Sequence, residues 1–153
     1  MPQHFIIAPE TIIKAYTLGI FPMATSKDAE EIQFFQPDVR GVIPLRNPHI
    51  PRRLKRLLKK RQFEIRWNQN FPAVIDGCAA PRSKSNDTWI SPLIRQIYIS
   101  LHVLGFAHSV EVYQERKLIG GLYGVAIGGA FFGESMFSRV SNASKIALCH
   151  LMG

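Results

Sequence analysis

Between Ala107 and Ser138 the chain spells out three strands with short turns between them, and no other stretch limits the fold so tightly. Ser109-Val110-Glu111-Val112-Tyr113 alternates in polarity. A polar turn from Gln114 to Lys117 follows, Leu118 to Ile127 runs back, Gly128-Gly129 turns the chain again, and Ala130 to Ser138 forms a third strand. Strands joined by turns this short pair antiparallel, and the sheet they form must be covered on its apolar face. The flanking sequence supplies the cover. Asn70 to Ala79 and Ser91 to Leu104 read as helices, the second with Leu93, Ile94, Ile97, Leu101 and Leu104 on one stripe and Gly105 as its stop. After the third strand, Asn142 is placed to cap a final helix that begins Ala143-Ser144-Lys145. Two helices, a three-strand meander and a helix on the sheet face predict an α+β sandwich.

The first part of the chain has a different character. Pro9 and Glu10 open a helical pattern through Ile12, Ile13, Tyr16 and Leu18, which Gly19 closes. Ile20-Phe21-Pro22-Met23, a polar stretch from Thr25 to Glu31 and the pair Phe34-Phe35 read as a loop that carries an apolar wall to a second body. The pattern changes near Arg40, which divides the chain into a small N-terminal domain, 1–39, and a larger domain, 40–153. A chain of 153 residues can bury one main core with such an appendage, and not two full domains.

Charge is concentrated just past that boundary. The formal net charge is +8, which favours polyanionic partners. Of the nineteen Lys and Arg residues, nine lie between Arg46 and Arg66, with Glu64 the only acid among them. Pro48 to Arg61 reads as a helix with Pro51 in its first turn and Leu54, Leu57 and Leu58 on one side. The rest of its surface, Arg52, Arg53, Lys55, Arg56, Lys59, Lys60 and Arg61, is cationic. Each phosphate it contacts would release a condensed counterion and add salt-sensitive affinity. The plainer reading is a solvated helix face that binds nothing. Phe63, Ile65 and Trp67 then alternate as a half-buried strand.

Other motifs exclude more than they assign. The glycines of Gly120-Gly121-Leu122-Tyr123-Gly124 and Gly128-Gly129-Ala130-Phe131-Phe132-Gly133 are followed by no Gly-Lys-Ser/Thr, and no helix starts among them, so neither a P-loop nor a dinucleotide fingerprint is present. Tight sheet packing is their simpler cause. In Gly133-Glu134-Ser135-Met136-Phe137-Ser138-Arg139, strict alternation sends Glu134, Met136 and Ser138 to one face. A carboxylate there needs a partner or a ligand, and an ion pair with Arg139 would serve. Trp89 is either a core anchor or a platform on which a base stacks. His4, His49, His102, His108 and His150 show neither metal-ligand spacing nor a nucleophile motif, and Cys78 and Cys149 read as reduced core thiols. The chain calls for no metal or cofactor. MPQHFIIAPE is not a signal peptide, and the longest uncharged run, Leu118 to Gly133, falls short of the roughly 20 apolar residues that cross a bilayer, so a cytoplasmic protein without a membrane segment is expected.

Taken in order, several segments resemble the leucyl/phenylalanyl-tRNA–protein transferase family. They are Ala15-Tyr16 with Gly19-Ile20-Phe21-Pro22, Gly77-Cys78-Ala79, Asp87-Thr88-Trp89-Ile90, Gly105 to Val112, Gly120 to Val125, and Phe132 to Arg139 with Asn142-Ala143-Ser144-Lys145. The resemblance implies an acetyltransferase-like (GNAT-type) antiparallel-sheet domain behind a small N-terminal domain. It implies an aminoacyltransferase that moves Leu or Phe, and sometimes Met, from aminoacyl-tRNA to an N-terminal Arg or Lys of a protein, marking that protein for the N-degron pathway. By the same resemblance Arg52, Lys55, Arg56, Lys59 and Lys60 would hold tRNA. Leu122, Phe131, Met136 and Leu148 would wall the pocket for the amino-acid side chain, with Glu134 at its polar edge and as the candidate catalytic residue, and Trp89 beside the terminal adenosine. A monomer is expected.

Two departures from the family pattern stand out. Met23 occupies a position where many members carry tryptophan. The family's Asp-x-Gln strand, which lines the reaction centre, lies beyond Gly153, and members often have a longer lead before Pro9, so a C-terminally truncated member with an incomplete sheet is expected. That leaves a non-catalytic tRNA-binding remnant as the alternative. An acyl-CoA-dependent acetyltransferase is the weaker rival, because Arg139-Val140-Ser141-Asn142-Ala143 stands where such enzymes place a glycine-rich pyrophosphate loop.

Overall fold

The computed structural model describes residues 8–60, 62–80 and 88–153. His4, Arg61 and Asp87, all named above, lie outside them. Helix α1 (Pro9–Thr17) begins with its proline in the first turn and ends before Gly19, whose φ of +75° suits a residue without Cβ. The segment read from the sequence as a loop instead forms a ribbon. Strand β1 (Phe21–Met23) pairs antiparallel with β2 (Gln33–Phe35), Phe21 opposite Phe35 with their rings stacked at 6.3 Å. A three-residue strand containing proline gives too little alternation to be recognised, and the cross-strand ring pair supplies the stabilisation instead.

Helix α2 (Arg52–Lys59) is shorter than the 48–61 pattern, because Pro51 is its N-cap and the residues before it are not helical. It leads through β3 (Glu64–Trp67) into α3 (Phe71–Ala79) and α4 (Pro92–Val103). Both of these helices have the side-chain caps their sequences predict: Asn70 Oδ1 accepts from Ala73 N at 3.3 Å, and Ser91 Oγ accepts from Ile94 N at 3.2 Å. Strands β4 (Ala107–Gln114), β5 (Lys117–Ile127) and β6 (Ala130–Ser138) form the expected meander. The strand around Ile65 joins it, giving a four-stranded antiparallel sheet in the order β3-β4-β5-β6 rather than three strands.

Helix α5 (Ala143–Met152) closes the described chain. Asn142 does not cap it through its side chain: its φ is 70°, and Ser138 Oγ accepts from Ser144 N at 2.8 Å instead. The chain must reverse sharply after β6, and asparagine tolerates the left-handed conformation that this reversal needs.

The sheet separates two apolar clusters. On one face Tyr123 and Val125 pack with Phe71, Val74, Ile75, Ile94, Tyr98 and Leu101, and Ile12, Tyr16 and Ala24 from the N-terminal segment belong to the same cluster. On the other face Val110, Val112 and Leu122 pack with Leu54 of α2 and with Ala143, Ile146 and Ala147 of α5. The glycines make these approaches possible. A Cβ on Gly77 would lie 2.7 Å from Phe137 Cζ, and one on Gly124 would run into the Phe132 carbonyl oxygen. Gly124→Ala is therefore expected to cost about 2 kcal/mol, since the obstructing atom is backbone and cannot swing aside, and urea denaturation would measure it. A variant as stable as the parent would show that β6 moves away freely.

One carboxylate is wholly buried in this frame. Glu111 in β4 accepts from Gln69 N and Asn70 N, each at 3.0 Å, from Ser109 Oγ at 2.9 Å and from Tyr113 OH at 2.8 Å. It fastens the corner between β3 and α3 to the sheet.

Candidate functional site

The basic helix is arranged as its sequence requires. Leu54 is buried, while Arg52, Lys55, Arg56, Lys59 and Lys60 are all exposed. The first turn of α2 holds no acid, and none of these five cations forms a salt bridge among the described residues. Their charge faces solvent uncompensated.

The residues proposed for the amino-acid pocket divide between the two faces of the sheet. Leu122 and Met136 are register partners on β5 and β6, and Phe131 and Leu148 pack against the cluster that contains Leu122. These four share the α5 side. Met136 is 38% exposed, so part of this wall is open to solvent. Leu148 also lines a groove of about 490 Å³ with residues from Val42 to Pro51, Lys145 and Met152.

Glu134 does not share the face of Met136, contrary to strict alternation. The β5–β6 register shifts between Tyr123 and Gly124: Tyr123 opposes Ser135, Gly124 opposes Gly133, and Glu134 is the extra residue. A bulge of this kind re-aims a side chain without ending the strand. Glu134 thereby turns to the side of α1 and α4, where Tyr16 OH donates to its Oε1. Tyr16 OH is also 2.7 Å from Tyr98 OH. With the Tyr16 proton committed to the carboxylate, the Tyr98 proton goes to Tyr16 or to Glu134 itself, which Tyr98 also hydrogen-bonds, so the chain of two hydroxyls is aimed at Glu134 either way. Protonation of Glu134 would let that chain reverse. Tyr123 extends the group: its ring meets that of Tyr98 edge-on at 5.4 Å, and its buried hydroxyl has no hydrogen-bond partner among the described residues.

Burial pushes the Glu134 carboxyl up to about 7, against the opposing pull of the Tyr16 hydrogen bond and the Arg40 charge. The three phenols rise far above the ordinary tyrosine range, chiefly through burial, and stay neutral. Because the folded chain holds the Glu134 proton more tightly than an unfolded chain with a carboxyl near 4.3, this group favours folding most in acid. That contribution is lost as pH rises from the unfolded value through about 7.

Trp89 lies on the same side as Glu134, its ring edge-on to Tyr98 at 6.5 Å and its carbonyl accepting from Ala24 N at 3.3 Å. Trp89 is partly exposed while packed against the core cluster, so core contact and solvent access occur in one residue. Sequence reasoning missed Tyr16, Tyr98 and Arg40 as companions of Glu134. Ala15-Tyr16 was visible as a motif, but Tyr16 and Glu134 are 118 positions apart and nothing local links them. Among the described residues no helix is long and apolar enough to cross a membrane.

Comparison with known proteins fits this arrangement. Residues 42–153 match the family model for leucyl/phenylalanyl-tRNA protein transferase, and residues 6–38 match the model for the N-terminal domain of the same transferase. Proteins named leucyl/phenylalanyl-tRNA–protein transferase from two strains of Rhodopseudomonas palustris, TIE-1 and HaA2, and from Nitrobacter winogradskyi are each 51% identical over 146 residues. Those alignments cover 95% of this chain and 65% of each relative, so the chain spans a little under two thirds of the length of the proteins it resembles. With an α+β antiparallel architecture, a small N-terminal unit and both family models matched in order, the chain belongs to the leucyl/phenylalanyl-tRNA–protein transferase family.

Proposed function

We propose that this chain carries the donor-binding part of an aminoacyltransferase that moves Leu or Phe, and sometimes Met, from aminoacyl-tRNA to a protein's N-terminal Arg or Lys. The observation that carries the reading is the match of residues 42–153 to the family model, with the cations of α2 exposed and unpaired within it. On this reading Arg52, Lys55, Arg56, Lys59 and Lys60 grip the acceptor stem. Leu122, Phe131, Met136 and Leu148 receive the amino-acid side chain. Strand β6 is the outer strand of the described sheet, so a substrate passing its edge meets that apolar wall on one face and Glu134 and Trp89 on the other. The antiparallel domain is of the acetyltransferase-like, GNAT-type class, and the protein works as a cytoplasmic monomer that tags its acceptors for the N-degron pathway.

The chemistry asks little of the protein beyond placement. An aminoacyl ester is already activated. The acceptor α-amino nitrogen attacks the ester carbonyl, the new C–N bond forms, the bond to the tRNA ribose oxygen breaks, and the proton lost by the amine goes to that oxygen. Holding the two reactants together supplies most of the acceleration. The amine's unperturbed pKa of about 8 means that a modest proton acceptor suffices to deliver it neutral. Donors aimed at the tetrahedral oxyanion would lower the barrier further. A carboxyl that titrates near 7, such as Glu134, is suited to accepting and returning a proton.

Leu and Phe are accepted by shape, with the flexible Met136 adapting to both. The test offers the chain Leu-tRNA or Phe-tRNA with a peptide beginning in Arg and measures Leu-Arg and Phe-Arg products. Met136→Trp is expected to depress Phe transfer about tenfold more than Leu transfer, the effect of filling a pocket by one ring. An unchanged ratio would remove the pocket assignment. Tight tRNA binding without product would favour a second reading, a tRNA-binding module, for which the exposed, unpaired cations of α2 are the supporting observation.

A further inference from the structure

Arg40 lies outside every helix and strand, yet it is held from three sides. Its guanidinium carbon is 5.5 Å from the Phe21 ring centroid in β1 and 5.6 Å from that of Phe132 in β6, and its Nη2 donates to the Gly19 carbonyl at 3.0 Å. Phe132 meets Tyr16, ring centroids 5.2 Å apart, and Tyr16 donates to Glu134. Guanidinium, two aromatic rings, phenol and carboxylate thus make one contiguous cluster, which joins the first forty residues to the bulge of β6. A guanidinium between two ring faces gains from both quadrupoles. Arg40 remains exposed to solvent, so its charge acts on the carboxylate through partial screening.

We propose that Arg40 is a positioning residue for the Glu134 site: clamped between Phe21 and Phe132, it draws Glu134 toward the ionised form, so that the Tyr98–Tyr16 hydroxyl chain donates toward the carboxylate rather than away from it. The proposal rests on the reading of Glu134 as part of the transfer site. The titratable and charged groups that act on Glu134 are Tyr16 from α1, Tyr98 from α4, Tyr123 from β5 and Arg40. The phenols remain neutral, so among the described residues Arg40 is the cation that opposes the burial of this carboxylate. Without it Glu134 holds its proton through neutral pH, the hydroxyl chain reverses, and the site loses its proton acceptor.

The test is a carbon-13 NMR titration of the Glu134 carboxyl, assigned by Glu134→Gln, in the unaltered chain and in Arg40→Gln, Arg40→Lys and Phe21→Leu. The midpoint in Arg40→Gln is expected to rise by about one unit or more, as for loss of a nearby opposite charge. Arg40→Lys, which retains the charge, should restore most of that shift. Phe21→Leu opens one side of the clamp and should give a smaller upward shift, which serves if Arg40→Gln fails to fold. Thermal unfolding of the same variants separates the roles: stability lost in all three with the midpoint unmoved would overturn the proposal. Leu-Arg formation is followed in parallel. Its absence from the unaltered chain would remove the transfer reading while the midpoints still decide the role of Arg40.

Discussion

Glu111→Ala is expected to destabilise the fold by about 4 kcal/mol, seen as an early urea midpoint in far-ultraviolet circular dichroism. The carboxylate gathers two backbone N–H groups and two hydroxyls. Alanine removes the acceptor without removing the donors. The hydroxyls of Ser109 and Tyr113 can turn elsewhere, but Gln69 N and Asn70 N are fixed by the start of α3, and each hydrogen bond lost to a charged acceptor costs about 1.5–3 kcal/mol. Glu111→Gln should cost far less, about 1 kcal/mol, for a geometric reason. Its carbonyl oxygen can take the Oε2 place facing the two N–H groups and Ser109, and its amide can donate to Tyr113, whose oxygen accepts as readily as its hydrogen donates. An alanine variant within about 1 kcal/mol of the parent would mean that water reaches this corner and the carboxylate is dispensable.

The second large effect is expected on RNA affinity. Reversing Arg52, Lys55 and Arg56 to glutamate should weaken tRNA binding at low salt by about a hundredfold. It should also flatten the plot of log affinity against log salt by two to three, at about 0.9 per phosphate contact in a duplex. All three side chains are exposed and none contributes to the buried leucine seam, so the fold should survive, and fluorescence anisotropy at several salt concentrations reads the change directly. Affinity and slope that match the parent would remove α2 from the RNA interface.

Much of this architecture was legible because it is written locally. The helices at 71–79 and 92–103 announce themselves by an Asn or Ser cap followed within two residues by proline. The hairpin of β4 and β5 and the return of β6 follow from alternation, from the charged turn after Gln114 and from Gly128-Gly129. The cationic face of α2 needs only the spacing of its leucines. Glu111 was not legible as a buried group: alternation assigned it to the polar side of its strand, and the partners that allow its burial depend on the β3–α3 corner.

What sequence periodicity could not supply was the exception to itself. Alternation placed Glu134 beside Met136, and one extra residue opposite the Tyr123–Gly124 step moved it to the other face. The crowding of Gly124 against the Phe132 carbonyl marks that step in three dimensions, while in sequence it is one glycine among many. The pairing of Tyr16 with Tyr98 and Glu134 spans nearly the whole chain, and Arg40 reaches the group from an irregular segment. The fourth strand was recognised as a strand, but its partner was not, because its alternation does not reveal which edge it joins.

The bulge in β6 also bears on how such a chain can change over time. With backbone standing between them, Leu122, Phe131, Met136 and Leu148 can drift in size to suit a different cargo while the surroundings of Glu134 stay as they are. A single-residue insertion or deletion at 133–135 would instead swap the two inventories at one stroke, so lineages should tolerate substitution here far more readily than any change in length.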